Sequence, residues 1–333
     1  AVLGKGIVLA KDTPGFVANR IGCFDMQQVA LLMIEQGLSI DEVDAITGPA
    51  IGRPKSATFR LGDIVGVDLM AQMGRNLRGL LGHDPQIAVF REVDFIEDMV
   101  KRGWWGEKKS QGFYQRVKTD KGRQILTLDY KTMEYRPQQK PQFASLETVS
   151  KIPSRAERMR TLCAATDKAG VFAWKHLSAV LCYAADRLTE IADDVVTVDN
   201  AMKWGYNWEL GPFEIWDALG VRETVERLKQ EGRAVPALVR DLLAAGKASF
   251  YEERDGQRSF FFFFLCGYAT EIEAPKVIHL SRLHQANKVV RSNPGASLID
   301  LGDGVACLEF HTKMNVIGGG QLGMLKQSLA EVS

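Results

Sequence analysis

The chain has 333 residues, is 46% hydrophobic and 25% charged, and sets 42 Lys and Arg against 41 Asp and Glu. That is ordinary globular composition with length for two or more domains. The net charge of +1 gives no field that favours nucleic acid or an anionic membrane surface.

Residues 1–10 carry Gly4-Lys-Gly-Ile-Val-Leu-Ala10, a short apolar run fit for one strand. Asp12-Thr-Pro-Gly-Phe-Val-Ala-Asn-Arg20 then reads as the start of a long helix, with Thr13 as cap and Pro14 in the first turn. Phe16, Val17, Ile21, Phe24, Val29, Leu32 and Ile34 recur at three-and-four spacing, a core-facing stripe, and Gly37 offers the stop. Asn19 is the odd member, because its amide competes with the helical backbone. It is either a solvated or locally bonded side chain or a donor aimed into a cleft. Ser39-Ile-Asp-Glu42 is a capping box for a short helix that ends at Gly48. A further helix spans 67–81. Strands 113–118 and 124–128 follow, joined across Asp120-Lys-Gly122.

The pattern then recurs. Gly15-Phe-Val-Ala-Asn19 aligns with Gly170-Val-Phe-Ala-Trp174, and Val43-Asp44 with Val198-Asp199, both at an offset of 155. Phe59, Asp63 and Gly66 match Phe213, Asp217 and Gly220 at 154, and Phe113-Tyr114 matches Phe250-Tyr251. The Asp255-Gly256 turn answers the first hairpin turn, and 137–153 is the connector. This is one unit used twice, with Trp174 standing where the first copy has Asn19. An indole cannot do an amide's hydrogen-bonding work, so the second copy keeps the scaffold and loses the site. Asp63 and Asp217 recur in both copies, which argues for a structural cap or turn. Arg20 and Lys175 are expected to be solvated. The tryptophans at 104, 105, 204, 208 and 216 are expected to pack between helices.

A third segment opens near Lys276. Strands at 297–301 and 305–310 flank the hairpin signal Gly302-Asp-Gly304, then His311-Thr-Lys-Met-Asn315 and a glycine-rich turn open a helix. Gly318-Gly-Gly-Gln-Leu-Gly323 matches the dinucleotide glycine pattern but lacks the strand running into it and the acidic residue about 20 positions on. The run 260–266 is far short of the about 20 residues a membrane helix needs and reads as a strand. Cysteines 23, 163, 182, 266 and 307 form no C-x-x-C pair, which fits reduced thiols in the cytosol. The five histidines are scattered, and no metal or nucleophile constellation emerges. An opening at Ala1 without Met points to an excised piece.

Val8-Leu-Ala-Lys-Asp-Thr-Pro-Gly-Phe-Val-Ala-Asn-Arg20 resembles the junction of the 3-hydroxyacyl-CoA dehydrogenase family, where a nucleotide-binding domain enters an all-helical substrate domain. Lys108-Lys-Ser-Gln-Gly-Phe-Tyr114 resembles the same family's Lys-Thr-Gly-x-Gly-Phe-Tyr loop, with Lys109 and Ser110 departing from it. The resemblance implies a catalytic-site role for Asn19 and a cofactor-side role for Lys108, for which a solvated lysine pair is the plain alternative. The segment from about 276 resembles the first hairpin and helix of the crotonase (enoyl-CoA hydratase) family.

The implied fold is mainly α: two tandem helical domains of the 6-phosphogluconate-dehydrogenase C-terminal-like type, each with a small β-hairpin, plus a truncated crotonase-like start. The implied divisions are 1–10, the tail of a nucleotide-binding domain; 11–140 and 141–275, the two helical copies; and 276–333. The implied activity is NAD-dependent oxidation of a 3-hydroxyacyl-CoA in fatty-acid β-oxidation, fused to an enoyl-CoA hydratase, in the cytoplasm. NAD is then held mainly by the part preceding Ala1, and the chain alone is expected to be inactive. The two copies are expected to pair within one chain, as subunits do in single-copy relatives. The rival reading is a non-catalytic helical scaffold or dimerisation module.

Overall fold

The computed structural model describes residues 6–119, 122–254, 257–271, 278, 280–312 and 316–331. Two compact units result, one of residues 1–251 with 260–269 and the other of 252–259 with 270–333. The turns at 120–121 and 255–256, the segment start at Lys276, His279 and the tripeptide 313–315 fall outside the described residues.

The first unit is built from helices. Helix α1 (Ala18–Gln36) is followed by α2 (Ile40–Thr47), α3 (Phe59–Val65), α4 (Val67–Leu80) and α5 (Asp94–Lys101), and then by strands β1 (Tyr114–Thr119), β2 (Gly122–Asp129) and β3 (Glu134–Pro137). The strands form an antiparallel sheet in which Tyr114 faces Thr127 and Leu128 faces Tyr135. After α6 (Ala144–Val149) and α7 (Arg155–Ala164) come α8 (Lys168–Ile191), α9 (Val195–Gly205), α10 (Pro212–Leu219), α11 (Val221–Gln230) and α12 (Ala237–Ala244). Strands β4 (Tyr251–Arg254), β5 (Gln257–Phe262) and β6 (Gly267–Thr270) form the second sheet. Five helices and three strands thus occur twice in the same order. Among the described residues no sheet contains a strand–helix–strand crossover, and no helix is long and apolar enough to cross a membrane.

Several local expectations hold. Ser39 and Glu42 form the capping box of α2, and Gly37 ends α1 in the left-handed conformation at φ 66°. Gly66 (φ 112°) and Gly220 (φ 89°) turn the chain between α3 and α4 and between α10 and α11, at φ values that strain residues bearing a Cβ. Asp63 accepts the backbone N–H groups of Phe113 (2.7 Å) and Tyr114 (2.9 Å), and Asp217 does the same for Phe250 (2.7 Å) and Tyr251 (2.9 Å). Each therefore fixes a helix to the chain entering a sheet. A second aspartate pair does similar work. Asp44 accepts from the N–H groups of Thr58, Phe59 and Arg60 and from the Tyr114 hydroxyl. Asp199 accepts from those of Phe213 and Glu214 and from the Tyr251 hydroxyl. Donors at a helix start lack intrahelical partners, so a buried carboxylate there satisfies several at once.

Other expectations are corrected. Helix α1 begins at Ala18 with no side-chain cap, because Gly15 (φ 81°) and Phe16 (φ 50°) wind the chain through a left-handed turn first. That turn leaves Phe16 exposed, and Ile34 is also exposed, while Val17, Ile21, Phe24, Val29 and Leu32 are buried. Residues 6–11 belong to no strand; Lys11 instead donates its amide to Ile191 at the end of α8 (3.1 Å). The run 260–266 leaves its strand at Phe262 and turns through a short 3-10 helix, Phe263–Leu265. Strand β3 and helix α6 went unforeseen, α6 within a stretch that composition marked as connector. Trp208 and Trp216 are buried as expected, but Trp204 is exposed on α9.

The largest correction is Arg20, which is fully buried rather than solvated. Its guanidinium donates to the Asp84 carboxylate (2.8 Å) and the Tyr183 hydroxyl (2.5 Å), and lies 3.0 Å from Glu190. Its counterpart Lys175 is half-buried and pairs with Glu35 at 2.7 Å. A second buried cluster joins Asp25 to Arg53 through two hydrogen bonds, with His176 at 3.1 Å. Helix α1 packs against α8 around these groups, Phe24 stacking on Tyr183 with centroids 3.8 Å apart.

In the second unit, β7 (Val289–Asn293), β8 (Ala296–Gly302) and β9 (Val305–Phe310) form an antiparallel sheet, with α13 (Leu280–Gln285) and α14 (Gly319–Glu331). The expected hairpin is present, and Asp303 (φ 53°) and Gly304 (φ 75°) make its turn.

Candidate functional site

Asn19 sits in the first turn of α1, at the mouth of a cleft of about 490 Å³. The cleft is walled by one face of α1 (Cys23, Met26, Gln27), by α3 and α4 (Leu61, Val65, Val67, Met70, Ala71, Met73), by Phe113, and by Gly205, Tyr206 and Asn207 at the end of α9. Three methionines and branched aliphatics make the wall apolar and adaptable, since thioether chains fill irregular shapes. The remaining polar side chains are amides and hydroxyls.

Asn19 is itself exposed, and its carbonyl oxygen accepts a hydrogen bond from the Tyr206 hydroxyl at 3.2 Å. Burial pushes the Tyr206 phenol above its ordinary value, so it remains a donor at neutral pH. Burial also pushes the Cys23 thiol up to about 12, which removes it as a nucleophile. No lining side chain is a carboxylate or an imidazole. The cleft can therefore hold an apolar chain and hydrogen-bond an oxygen, but any general base has to reach it from elsewhere.

Lys108 does not line this cleft. It lies behind the turn between α3 and α4, with Nζ 2.5 Å from one Asp68 oxygen and 2.7 Å from the other, and it approaches the face of Trp105. Of the two residues singled out from sequence, only Asn19 lines the cleft. A larger groove of about 830 Å³ is lined by Lys55, Arg60, Arg116 and Lys140 together with Asp41, Asp44 and Glu107. Its charges are of both signs, with Arg60 paired to Glu107, and it shares no lining residue with the Asn19 cleft.

The described residues offer no cradle for a dinucleotide. Gly319 opens α14 after a segment with no strand at 316–318, and each sheet takes its strands in sequence order. Pyrophosphate sites of the doubly wound kind need a parallel strand feeding a glycine turn and a helix N-terminus. Among the described residues no group of three His, Cys, Asp or Glu side chains is placed to hold a metal ion.

Sequence reasoning singled out Asn19, which lines the cleft, but gave no sign of Tyr206, which lies 187 positions away. The methionine wall carried no signal beyond ordinary core periodicity.

Residues 15–116 match the family model described as 3-hydroxyacyl-CoA dehydrogenase, C-terminal domain. Over 330 residues, 99% of its length, the chain is 43% identical to a probable 3-hydroxyacyl-CoA dehydrogenase of Bacillus subtilis, of which it covers 41%. It is 29% identical over 64% of its length to a putative fatty acid oxidation complex trifunctional enzyme of Rickettsia felis, covering 28% of that protein. In fold it is similar to a 3-hydroxybutyryl-CoA dehydrogenase from Escherichia coli, with TM-score 0.50 and 18% identity, over 73% of this chain and 63% of the other. The chain thus spans less than half the length of the Bacillus subtilis and Rickettsia felis relatives. Together these findings support the 3-hydroxyacyl-CoA dehydrogenase C-terminal domain for the first helical region.

Proposed function

We propose that this chain is the helical, substrate-side portion of an NAD-dependent 3-hydroxyacyl-CoA dehydrogenase that oxidises 3-hydroxyacyl-CoA to 3-ketoacyl-CoA in fatty-acid oxidation. The observation that carries this reading is the apolar, methionine-lined cleft with the Asn19 amide among its lining residues, held by the Tyr206 hydroxyl. An acyl chain fits the wall, and the amide suits the oxygen that changes oxidation state. NAD and the general base are held mainly by residues outside this chain, and Lys108 serves from the cofactor side after exchanging its Asp68 partner. The site is assigned to the cytosol, which the five free cysteines favour.

The proposal extends to organisation. Residues 11–140 and 141–275 are two copies paired about a pseudo-two-fold axis, with 1–10 the tail of a nucleotide-binding domain and 276–333 the start of a crotonase-like domain that supplies enoyl-CoA hydration. The pairing is supported by reciprocal contacts, the signature of an isologous interface. Arg20 meets Glu190 while Lys175 meets Glu35, both members shifted by 155 positions. Arg53 lies over the Trp208 ring at 4.1 Å, and these two are equivalents at the same offset.

Two measurements test the reading. The full-length protein, supplied with NAD, should form NADH from 3-hydroxyacyl-CoA; no turnover at any acyl length would overturn the proposal. The 333-residue chain by itself should show no saturable NAD binding by calorimetry at millimolar cofactor. A micromolar Kd there would mean that the chain carries a nucleotide site of its own.

A further inference from the structure

The cleft wall is not made by the first copy alone. Helix α9, which belongs to the second, ends at Gly205, and Tyr206 caps it by donating its amide to the Met202 carbonyl at 3.0 Å. Asn207 then turns the chain in the left-handed region at φ 54°. This sends the Tyr206 ring across α1, where it fits because residue 22 is glycine. A Cβ at Gly22 would overlap the ring carbon Cζ and the phenol oxygen. One turn earlier, Ala18 offers α9 another small surface, so that even a Cβ at Gly205 would come within 3.3 Å of the Ala18 Cβ. The close approach of the two backbones is what brings the hydroxyl within 3.2 Å of Asn19.

The reciprocal contact lacks both polar partners. At the offset of 155, Asn19 corresponds to Trp174 and Tyr206 to Ile51. The register holds through the turn, since Gly52 (φ 71°) and Asn207 (φ 54°) share the left-handed conformation. Trp174 directs its N–H away to Glu231 at 2.6 Å, and Ile51 has no polar side-chain atom to give. A merely structural hydrogen bond has no reason to be confined to the one interface that carries Asn19.

We propose that Tyr206 is a positioning residue: its hydroxyl holds the Asn19 carbonyl oxygen and so fixes the amide with its N–H donors available to the cleft. A free asparagine can turn either its oxygen or its nitrogen to a ligand, since the two ends are nearly the same shape. With the oxygen held, the site accepts a substrate oxygen and rejects a donor. The second copy, which has lost its own amide, thereby completes the site of the first. This inference rests on the reading of Asn19 given above.

The test is a double-mutant cycle in the full-length protein, with 3-hydroxyacyl-CoA and NAD as substrates. Tyr206→Phe keeps the ring on Gly22 and removes only the hydroxyl. It should lower kcat about tenfold, the scale of one oriented hydrogen bond, and leave KM for NAD unchanged. The double variant Asn19→Ala/Tyr206→Phe should be no slower than Asn19→Ala, because an orienting group has nothing left to orient. Wild-type kcat for Tyr206→Phe, or losses that multiply in the double variant, would overturn the positioning role and leave the reading of Asn19 standing. Wild-type kcat for Asn19→Ala would overturn both.

Discussion

Arg20→Ala is expected to lower the stability of the helical unit by about 3–5 kcal/mol, the range for removing one partner of a buried ion pair. The side chains of Arg20 and Asp84 are both wholly buried, and the Tyr183 hydroxyl is shared between them, donating to Asp84 at 2.9 Å. Without the guanidinium, Asp84 keeps its tyrosine, the Gln86 amide and Arg187 at 4.0 Å, but loses its hydrogen-bonded counter-charge in a low-dielectric site. Burial works against the Asp84 charge, yet the Gln86 amide, the Tyr183 phenol and Arg20 together hold its carboxyl below the usual carboxylate range. A carboxyl whose native pKa lies below its unfolded value of about 3.9 contributes stability above that value and loses it as pH falls through the native pKa. Wild-type stability should therefore decline below about pH 4, and Arg20→Ala should begin its decline at higher pH. Urea unfolding followed by tryptophan fluorescence at several pH values measures both effects. An unchanged midpoint at neutral pH would show that the network is not holding the two helices together.

That network also marks where sequence reasoning stopped. The capping box at Ser39 and the stop at Gly37 were legible because each depends on residues close in the chain, and the structural role of the aspartates at 63 and 217 because the pair recurs at matching places. Arg20 was not. Its partners Asp84, Tyr183 and Glu190 lie 64 to 170 positions away, and an arginine on a helix reads as solvated until something covers it. The start of α1 misled for a related reason: Thr13 and Pro14 have capping chemistry, but the left-handed turn at Gly15 and Phe16 moves the helix past them. For the site, the odd asparagine on an apolar stripe was visible. The hydroxyl that orients it was not, since Tyr206 belongs to the other half of the repeat.

The contrast between Asn19 and Trp174 follows from the same geometry, and it is the sharpest expected kinetic result. Asn19→Ala in the full-length protein should lower kcat by roughly ten- to a thousand-fold, equivalent to about 1.4 to 4 kcal/mol of polar transition-state stabilisation. Because Asn19 is exposed and makes one long hydrogen bond, its loss should change stability by no more than about 0.5 kcal/mol. Trp174→Ala should do the reverse. The indole is 4% exposed, its N–H is bonded to Glu231, and Arg227 stacks on its face at 4.0 Å. Removing it leaves a large void, at a cost of about 3–5 kcal/mol, while kcat per folded molecule stays near wild type. The two substitutions fall on equivalent positions of the two copies, so each serves as the other's control for the general effect of truncating that helix. Equal kinetic damage from both would mean that the second copy carries chemistry too. Equal loss of stability with no kinetic difference would make Asn19 an ordinary helix residue and leave the cleft without a polar centre.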